Sequence, residues 1–253
     1  MEYGICNLAV IPLRAEASDR SEQVSQILFG EAFEILEWTE RWVKVVTQSD
    51  NYTGWIGRLQ FVMLGHIAYQ SLKHTPAPLT YRAVTQAWKK ADNSVLYLPA
   101  GSSLVFLDGV TCCIGTDRFE IVGEIGERED IATTAKSFLN APYLWGGRTH
   151  FGIDCSGFTQ VVFKLNNIHI QRDASQQVLE GKLVENIEHA RLGDLAFFNN
   201  PEGRVTHVGI MFNNGRIIHA SGKVKIDSID NEGIYSEEQK RHTHKLHSIK
   251  RFM

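Results

Sequence analysis

The run Asp154-Cys155-Ser156-Gly157-Phe158, followed by Thr206-His207-Val208-Gly209-Ile210 and Ile218-His219-Ala220-Ser221, sets a thiol and two imidazoles in the second half of the chain. A thiol attacks a carbonyl as thiolate, so a nucleophilic cysteine needs a nearby base and gains from a positive helix end. From Cys155 to Asn166 the apolar residues Phe158, Val161, Val162 and Leu165 recur at i, i+3, i+4 and i+7, the period of a helix packing one face on a core. Asp154 is expected to cap that helix, with Cys155 in its first turn. There the unpaired backbone N–H groups and the macrodipole favour a thiolate and can face an oxyanion. Upstream, the paired glycines of Tyr143-Leu144-Trp145-Gly146-Gly147 suit a tight loop close to a ligand. A lone cysteine is more often a small buried hydrophobe, so the histidines must decide.

His207 to Phe212 and Arg216 to Ser221 are apolar, strand-like runs around Asn213-Asn214-Gly215, and they are expected to form a hairpin. A two-residue Asn214-Gly215 turn would pair Ile210 with His219 and put the two imidazoles on opposite faces. A three-residue loop with Gly215 left-handed would pair Phe212 with Arg216 and Gly209 with His219. His207 and His219 then become diagonal neighbours on one face, about 7 to 8 Å apart at the backbone. A catalytic pair requires the second register, which also explains Gly209: the residue opposite His219 carries no side chain to block the ring. In that arrangement His207 takes the proton from Cys155, and His219 fixes the tautomer and orientation of His207.

With 43% hydrophobic and 22% charged residues and a formal net charge of −3, the chain has the balance of an ordinary globular protein and no basic excess for nucleic acid. No apolar stretch approaches the roughly 20 residues of a membrane span. Met1-Glu2-Tyr3-Gly4 runs almost directly into a strand-like segment without a signal core, so a cytoplasmic location is expected. The four cysteines, Cys6, Cys112, Cys113 and Cys155, have neither zinc-type spacing nor a disulfide framework. His242, His244 and His247 include an alternating pair expected on one strand face, with no regular ligand spacing nearby, so neither a metal nor a cofactor is expected. The first half has the texture of short β-strands: Cys6 to Leu13, Ala32 to Trp38, Trp42 to Val46 and Tyr52 to Gly57, then Ser94 to Leu98, Ser103 to Leu107, Thr111 to Ile114 and Phe119 to Gly123.

From about Glu127 onward the chain resembles the NlpC-type cell-wall cysteine peptidases, a papain-like family. The likeness rests on Tyr143 to Gly147, Asp154 to Phe158, Gly193-Asp194-Leu195, His207 to Ile210 and His219 to Ser221, in the family's order. It implies an α+β fold with the nucleophile helix on an antiparallel sheet, and Cys155, His207 and His219 as the catalytic set. The two preceding segments resemble bacterial SH3-like barrels, the first more closely, through Arg20 to Glu31 and Asn51 to Ile56. The expected organisation is therefore residues 1–65 and 66–125 as two small SH3-like barrels and 126–253 as the peptidase domain.

That arrangement is similar to the γ-D-glutamyl-L-diamino acid endopeptidases, which cut murein stem peptides after L-alanyl-D-glutamate. The resemblance implies that the first barrel closes the cleft where a free amino terminus binds. It assigns amine binding to Asp154 and Ser156, with Tyr52 and Glu22 from the barrel and Glu16 as the alternative acid; Tyr52 could equally serve the oxyanion. Trp145 matches a position lining the alanine pocket. Arg172, in a segment that includes Ser175, matches a position suited to a substrate carboxylate, with a salt bridge to Asp173 or Asp194 as the structural alternative. The expected partners are murein-derived peptides, with no nucleic acid and no membrane, and either meso-diaminopimelate or L-lysine at the third position. Two further readings are a thiol amidase or acyltransferase on the same fold and a wall-fragment binding module with an inert site.

Overall fold

Strand-forming runs broken by turns dominate the first 128 residues, and the computed structural model, which describes residues 1–212 and 215–253, folds them into two antiparallel sheets. The chain divides into two compact units, Met1–Arg128 and Glu129–Met253. In the first unit, strands β1 (Glu2–Ile5), β2 (Val10–Arg14), β3 (Gln23–Leu28), β4 (Ala32–Trp38), β5 (Trp42–Thr47), β6 (Thr53–Gly57) and β7 (Val62–Leu64) form one sheet in the order β3-β2-β6-β5-β4-β1-β7. Its alternating residues bury Ile11, Leu13, Ile27, Phe33, Val43, Val45 and Ile56 as a core. Of the expected strand from Cys6 to Leu13 only the part from Val10 is strand: residues 6–9 leave the sheet after β1, and the chain re-enters it as β2, four strands away.

A helix that the sequence reading did not include, α1 (His66–His74), leads to the second sheet. There β8 (Thr85–Lys89), β9 (Ser94–Leu98), β10 (Leu107–Asp108), β11 (Thr111–Ile114) and β12 (Asp117–Val122) run in the order β10-β11-β12-β8-β9. The expected strand from Ser103 to Leu107 is mostly irregular, and β8 was not anticipated. The two sheets share a core: Tyr3, Ile5 and Phe29 cluster with Leu98, Leu104 and Phe119, with the rings of Phe29 and Phe119 edge to face at 5.1 Å. The boundary near residue 65 thus separates two sheets within one compact unit. Cys112 is buried in that core and Cys113 half-buried, and among the described residues every cysteine is a free thiol.

In the second unit, Asp130 caps α2 (Ile131–Ser137) by accepting the N–H of Thr133 at 3.0 Å. The short hairpin β13 (Arg148–Thr149) and β14 (Gly152–Ile153) leads to α3 (Cys155–Leu165), then α4 (Ala174–Gln177) and β15 (Lys182–Val184). The remaining strands are β16 (Leu195–Asn199), β17 (Val205–Phe212), β18 (Arg216–Ser221), β19 (Lys223–Ile229), β20 (Gly233–Ser236) and β21 (Arg241–Arg251). They pair in sequence from β16 to β20, and β21 pairs with both β20 and β16, so this antiparallel sheet closes on itself. The long β21 serves both neighbours by changing register, with shifts between Phe197 and Phe198 on one side and between Ile234 and Tyr235 on the other. Helix α3 packs against β17 and β18, and Phe158, Val161, Val162 and Leu165 are all buried, as their spacing predicts. No described helix is long and apolar enough to cross a membrane.

Gly30 marks the junction of the two sheets in the first unit. It has φ +76°, and a Cβ there would lie 1.8 Å from the carbonyl oxygen of Ser103, whose N–H donates to Phe29 O at 2.8 Å. Gly30→Ala should therefore destabilise the first unit by on the order of 2–4 kcal/mol, combining a left-handed backbone with a clash against main chain. Urea titration read by hydrogen exchange across residues 1–128 checks this; an unchanged midpoint there would show that the junction is looser than described.

Candidate active site

The helix that opens with Cys155 begins where the sequence predicts. Asp154 has extended backbone, φ −94° and ψ 178°, and its Oδ1 accepts the N–H of Gly157 at 2.6 Å. The same carboxylate accepts the N–H of Gly146 at 2.8 Å through Oδ2, which pins the glycine loop to the helix start. Gly146 sits at φ +73°, and a Cβ on Gly157 would meet the carbonyl oxygen of Gly147 at 2.3 Å. Both glycines are therefore required by the approach of loop to helix.

Arg172, 1% exposed, completes the group. Its Nη2 donates to Asp154 Oδ2 at 2.6 Å, and its Nη1 donates to Oδ1 at 3.1 Å and to Ser156 Oγ at 2.9 Å. Arg172 was expected to pair with Asp173 or Asp194 as its structural alternative, and it pairs with Asp154. Asp173 donates its N–H to the Gln176 side chain at 3.2 Å at the start of α4, and Asp194 binds Arg251 through two hydrogen bonds of 2.8 and 2.7 Å. Asp154 and Ser156, expected to receive a substrate amine, and Arg172, expected to receive a carboxylate, are hydrogen-bonded to one another. The cation that a buried Asp154 requires is Arg172, and the roughly four lone-pair sites of the carboxylate are filled from within the unit. Ser175 is exposed on α4. Gln177, absent from the sequence reading, is buried and donates to the carbonyls of Ser156 at 3.1 Å and Gln171 at 2.8 Å, tying the Arg172 segment to α3.

Cys155 is 5% exposed, and its Sγ lies 3.9 Å from the carbonyl oxygen of Thr206, directly before His207. Burial, reinforced by the charge of Asp154, pushes its thiol up to about 12, against the lowering effects of Arg172 and of nearby backbone N–H groups. The helix start alone therefore does not produce a standing thiolate, contrary to the simplest expectation from the macrodipole. Tyr143 is within electrostatic reach of the thiol: burial and the proximity of Cys155 and Asp154 raise its hydroxyl, which stays neutral and able to donate. Trp145 follows on the same loop and is 57% exposed.

The hairpin has the register that brings the histidines together. Gly209 pairs with His219 and Phe212 with Arg216, and Gly215 has φ +66°; Asn213 and Asn214 lie outside the described residues. A Cβ on Gly209 would come within 2.9 Å of His219 Cβ and 2.8 Å of Ile217 Cδ1, so the glycine is the space the imidazole side of the pair needs. His207 Nε2 and His219 Nδ1 are 2.9 Å apart, both rings are buried, and they stand edge to face. His219 Nδ1 thus occupies Nε2 of His207 and leaves Nδ1 as the other ring nitrogen of His207.

Two residues missing from the sequence reading complete this cluster. Asp227, on β19, meets His219 Nε2 at 3.1 Å and Lys225 Nζ at 3.2 Å. His244 stacks on His207 with centroids 4.1 Å apart. His242 and His244 do not share a face as expected: the register shift at Ile234/Tyr235 sends His244 toward His207 and leaves His242 with Asp230 and Glu232. Among the described residues no group of three His, Cys, Asp or Glu could hold a metal. In the first unit, Tyr52 packs half-buried against its own sheet core at the start of β6, while Glu16 and Glu22 are exposed on the β2–β3 connection.

Burial lowers His207, His219, His244 and His150, the last two to about 4, so these imidazoles are neutral in the fold at neutral pH. Because the folded values lie below the unfolded one of about 6.5, the unfolded chain binds protons first as pH falls. Their contribution to stability is complete above about 6.5 and declines toward about 4. The melting temperature of the second unit should therefore drop by several degrees between pH 7 and pH 5, and His244→Phe should flatten that slope. A melting profile that is level over this range in the unmodified protein would contradict the neutral cluster.

Residues 140–243 match the NlpC/P60 family, and residues 13–58 match the bacterial dipeptidyl-peptidase Sh3 domain. A γ-D-glutamyl-L-lysine dipeptidyl-peptidase of Bacillus subtilis (strain 168) is 32% identical over 214 residues, spanning 78% of this chain and 71% of that protein. Dipeptidyl-peptidase 6 of Lysinibacillus sphaericus is 29% identical over 252 residues, 87% of this chain and 89% of its own. The crystal structure of an NlpC/P60 family protein from Bacillus cereus ATCC 10987 superposes with a TM-score of 0.80 at 19% identity, over 99% of both chains, and so shares the fold. The capped cysteine helix, the histidine hairpin and these similarities together make the chain a member of the NlpC/P60 family, carrying an N-terminal SH3-like domain.

Proposed function

We propose that this protein is a cysteine peptidase that hydrolyses the γ-D-glutamyl–L-diamino acid bond of murein-derived peptides with a free N-terminal L-alanine. The observation that carries the reading is the 2.9 Å His207–His219 hydrogen bond, made on the strand against which the Cys155 thiol rests. The relatives named as dipeptidyl-peptidases, one for γ-D-glutamyl-L-lysine, support the bond and the free amine, since a dipeptide is released from an amino terminus. A peptide with a free L-alanine amine is already detached from its glycan, so the reaction belongs to murein peptide recycling. We read the five-stranded sheet of residues 85–122 as a second SH3-like module.

In this reaction the thiol and His207 rest as a neutral pair, and proton transfer accompanies attack. Cys155 Sγ bonds to the γ-carbonyl carbon of D-glutamate as its proton passes to His207 Nδ1. The first N–H groups of α3 face the developing oxyanion, with the Tyr143 hydroxyl as a neutral donor nearby. The tetrahedral centre collapses, the diamino acid leaves with the proton from His207, and a thioester to L-alanyl-D-glutamate remains. Water, deprotonated by His207, then attacks the thioester and regenerates the thiol. Trp145, exposed on the loop that Asp154 pins, contributes an apolar surface for the alanine methyl.

Cys155→Ala and His207→Ala should each lower kcat/KM on L-Ala-γ-D-Glu-L-Lys by roughly four orders of magnitude or more, and the double variant should lose no more than either, since the two act as one unit. Mass spectrometry of the digests reads this, and full activity in verified Cys155→Ala protein would end the thiol mechanism.

N-acetylation of the tripeptide should cost a charge-assisted hydrogen bond of about 1.5–3 kcal/mol, or roughly ten- to a hundredfold in kcat/KM. This is less than a dedicated Asp154–ammonium pair would give, because Arg172 already meets that carboxylate. Equal rates on free and acetylated peptides would favour an endopeptidase acting within longer peptides.

A further inference from the structure

Asp227 is buried beside the histidine pair and has no part in a Cys-His-His scheme. It is eight residues beyond His219 but lies on the neighbouring strand: His219 pairs with Lys225, and Ile217 pairs with Asp227, so Asp227 is the diagonal neighbour of His219. Its Oδ2 lies 3.1 Å from His219 Nε2 and 3.2 Å from Lys225 Nζ, and Lys225 in turn reaches Glu238 at 3.5 Å.

We propose that Asp227 is a positioning residue that fixes the tautomers of both histidines and thereby makes Nδ1 of His207 the base. This rests on the assignment of Cys155 and His207 as nucleophile and base. An ionised carboxylate only accepts hydrogen bonds, so His219 Nε2 must carry a hydrogen. A neutral imidazole with hydrogen on Nε2 has a bare Nδ1, so His219 Nδ1 accepts from His207. His207 Nε2 must then carry its hydrogen, which leaves His207 Nδ1 bare and able to take the thiol proton. Reversing one link reverses all of them: if His219 carried its hydrogen on Nδ1, His207 would have to accept at Nε2 and hold a hydrogen on Nδ1, where no proton could be received.

Lys225 holds the carboxylate in its charged, accepting form. The hydrogen bonds from His219 and Lys225 and the Lys225 charge outweigh burial and keep Asp227 below the usual carboxylate range. The other titratable groups of the cluster are His244, stacked on His207, and Glu238 on the far side of Lys225. When His207 becomes imidazolium, the same line of hydrogen bonds carries the stabilising negative charge two rings away, as a carboxylate behind a histidine does in other triads.

The test separates an acceptor from a general structural support and does not depend on the peptide chosen. In the unmodified protein, 15N NMR of the imidazoles should show hydrogen on Nε2 of both His207 and His219. Asp227→Leu, which removes the acceptor, should lose that pattern and slow hydrolysis of L-Ala-γ-D-Glu-L-Lys by roughly 10²- to 10⁴-fold, mainly in kcat. The same variant should slow alkylation of Cys155 by iodoacetamide at pH 7 at least about tenfold. Asp227→Asn, whose carbonyl oxygen Lys225 would orient toward His219 as it does Oδ2, should keep the tautomers and stay within about tenfold of the unmodified rate.

Hydrogen on Nδ1 of His219 in the unmodified protein would overturn the proposal. So would a folded Asp227→Leu protein with unmodified alkylation and tautomers, or an Asp227→Asn protein as slow as the leucine variant with its tautomers intact. If the unmodified protein fails to cleave the tripeptide while NMR and alkylation behave as stated, the substrate assignment falls and the role of Asp227 stands.

Discussion

The Asp154 carboxylate is the point on which the second unit's chemistry depends. It caps the helix carrying Cys155, accepts from Gly146 in the preceding loop, and neutralises Arg172 from the segment that follows. Three stretches of chain are thereby held around one buried charge, with further hydrogen bonds such as Gln160 to the Ile170 carbonyl alongside. Such a pair is weak evidence for net stability, because desolvating both ions consumes most of what their attraction returns. Its effect is geometric: removing either member strands the other in an apolar interior, so loop, helix and Arg172 segment keep one arrangement or none. Ser156 and Gln177 extend the same network, the first through Arg172 and the second through the Ser156 carbonyl.

The histidine pair is positioned by a different device. Hairpin register, a missing side chain at Gly209 and a closed sheet determine where His207 and His219 stand. Sheet closure brings β21 beside β16, and the register shift along β21 brings His244 over the face of His207. The histidine cluster is therefore built from three strands and one bulge, whereas the cysteine is set by a cap. The two halves meet where the thiol rests on the backbone of Thr206.

Much of this was legible in the sequence because it is local. The capping aspartate, the spacing of Phe158, Val161, Val162 and Leu165, and the choice between two hairpin registers all follow from residues within a turn or two of one another. Arg172 was legible as a residue that needs a carboxylate, but three aspartates were available, and only tertiary packing selects Asp154 over Asp173 and Asp194. Asp227 was within reach of the same register arithmetic: the Ser221-Gly222-Lys223 turn pairs His219 with Lys225 and makes Asp227 its diagonal neighbour. What conceals it is its own run, Lys223 to Ile229, where polar and apolar residues alternate and the aspartate looks like one more solvent-facing charge. The departure of residues 6–9 from the sheet, helix α1 and the core shared by the two sheets of the first unit depend on long-range packing that no local pattern announces.

The burial of Cys155 also bears on how such a protein meets oxidants. Conversion of a thiol to sulfenic acid, and on to the irreversible sulfinic and sulfonic acids, follows the thiolate fraction and the access of peroxide. A thiol pushed up to about 12 and 5% exposed offers little of either. In the proposed reaction the sulfur gains thiolate character only as its proton passes to His207, so between turnovers the protein holds its most vulnerable atom in its least vulnerable form.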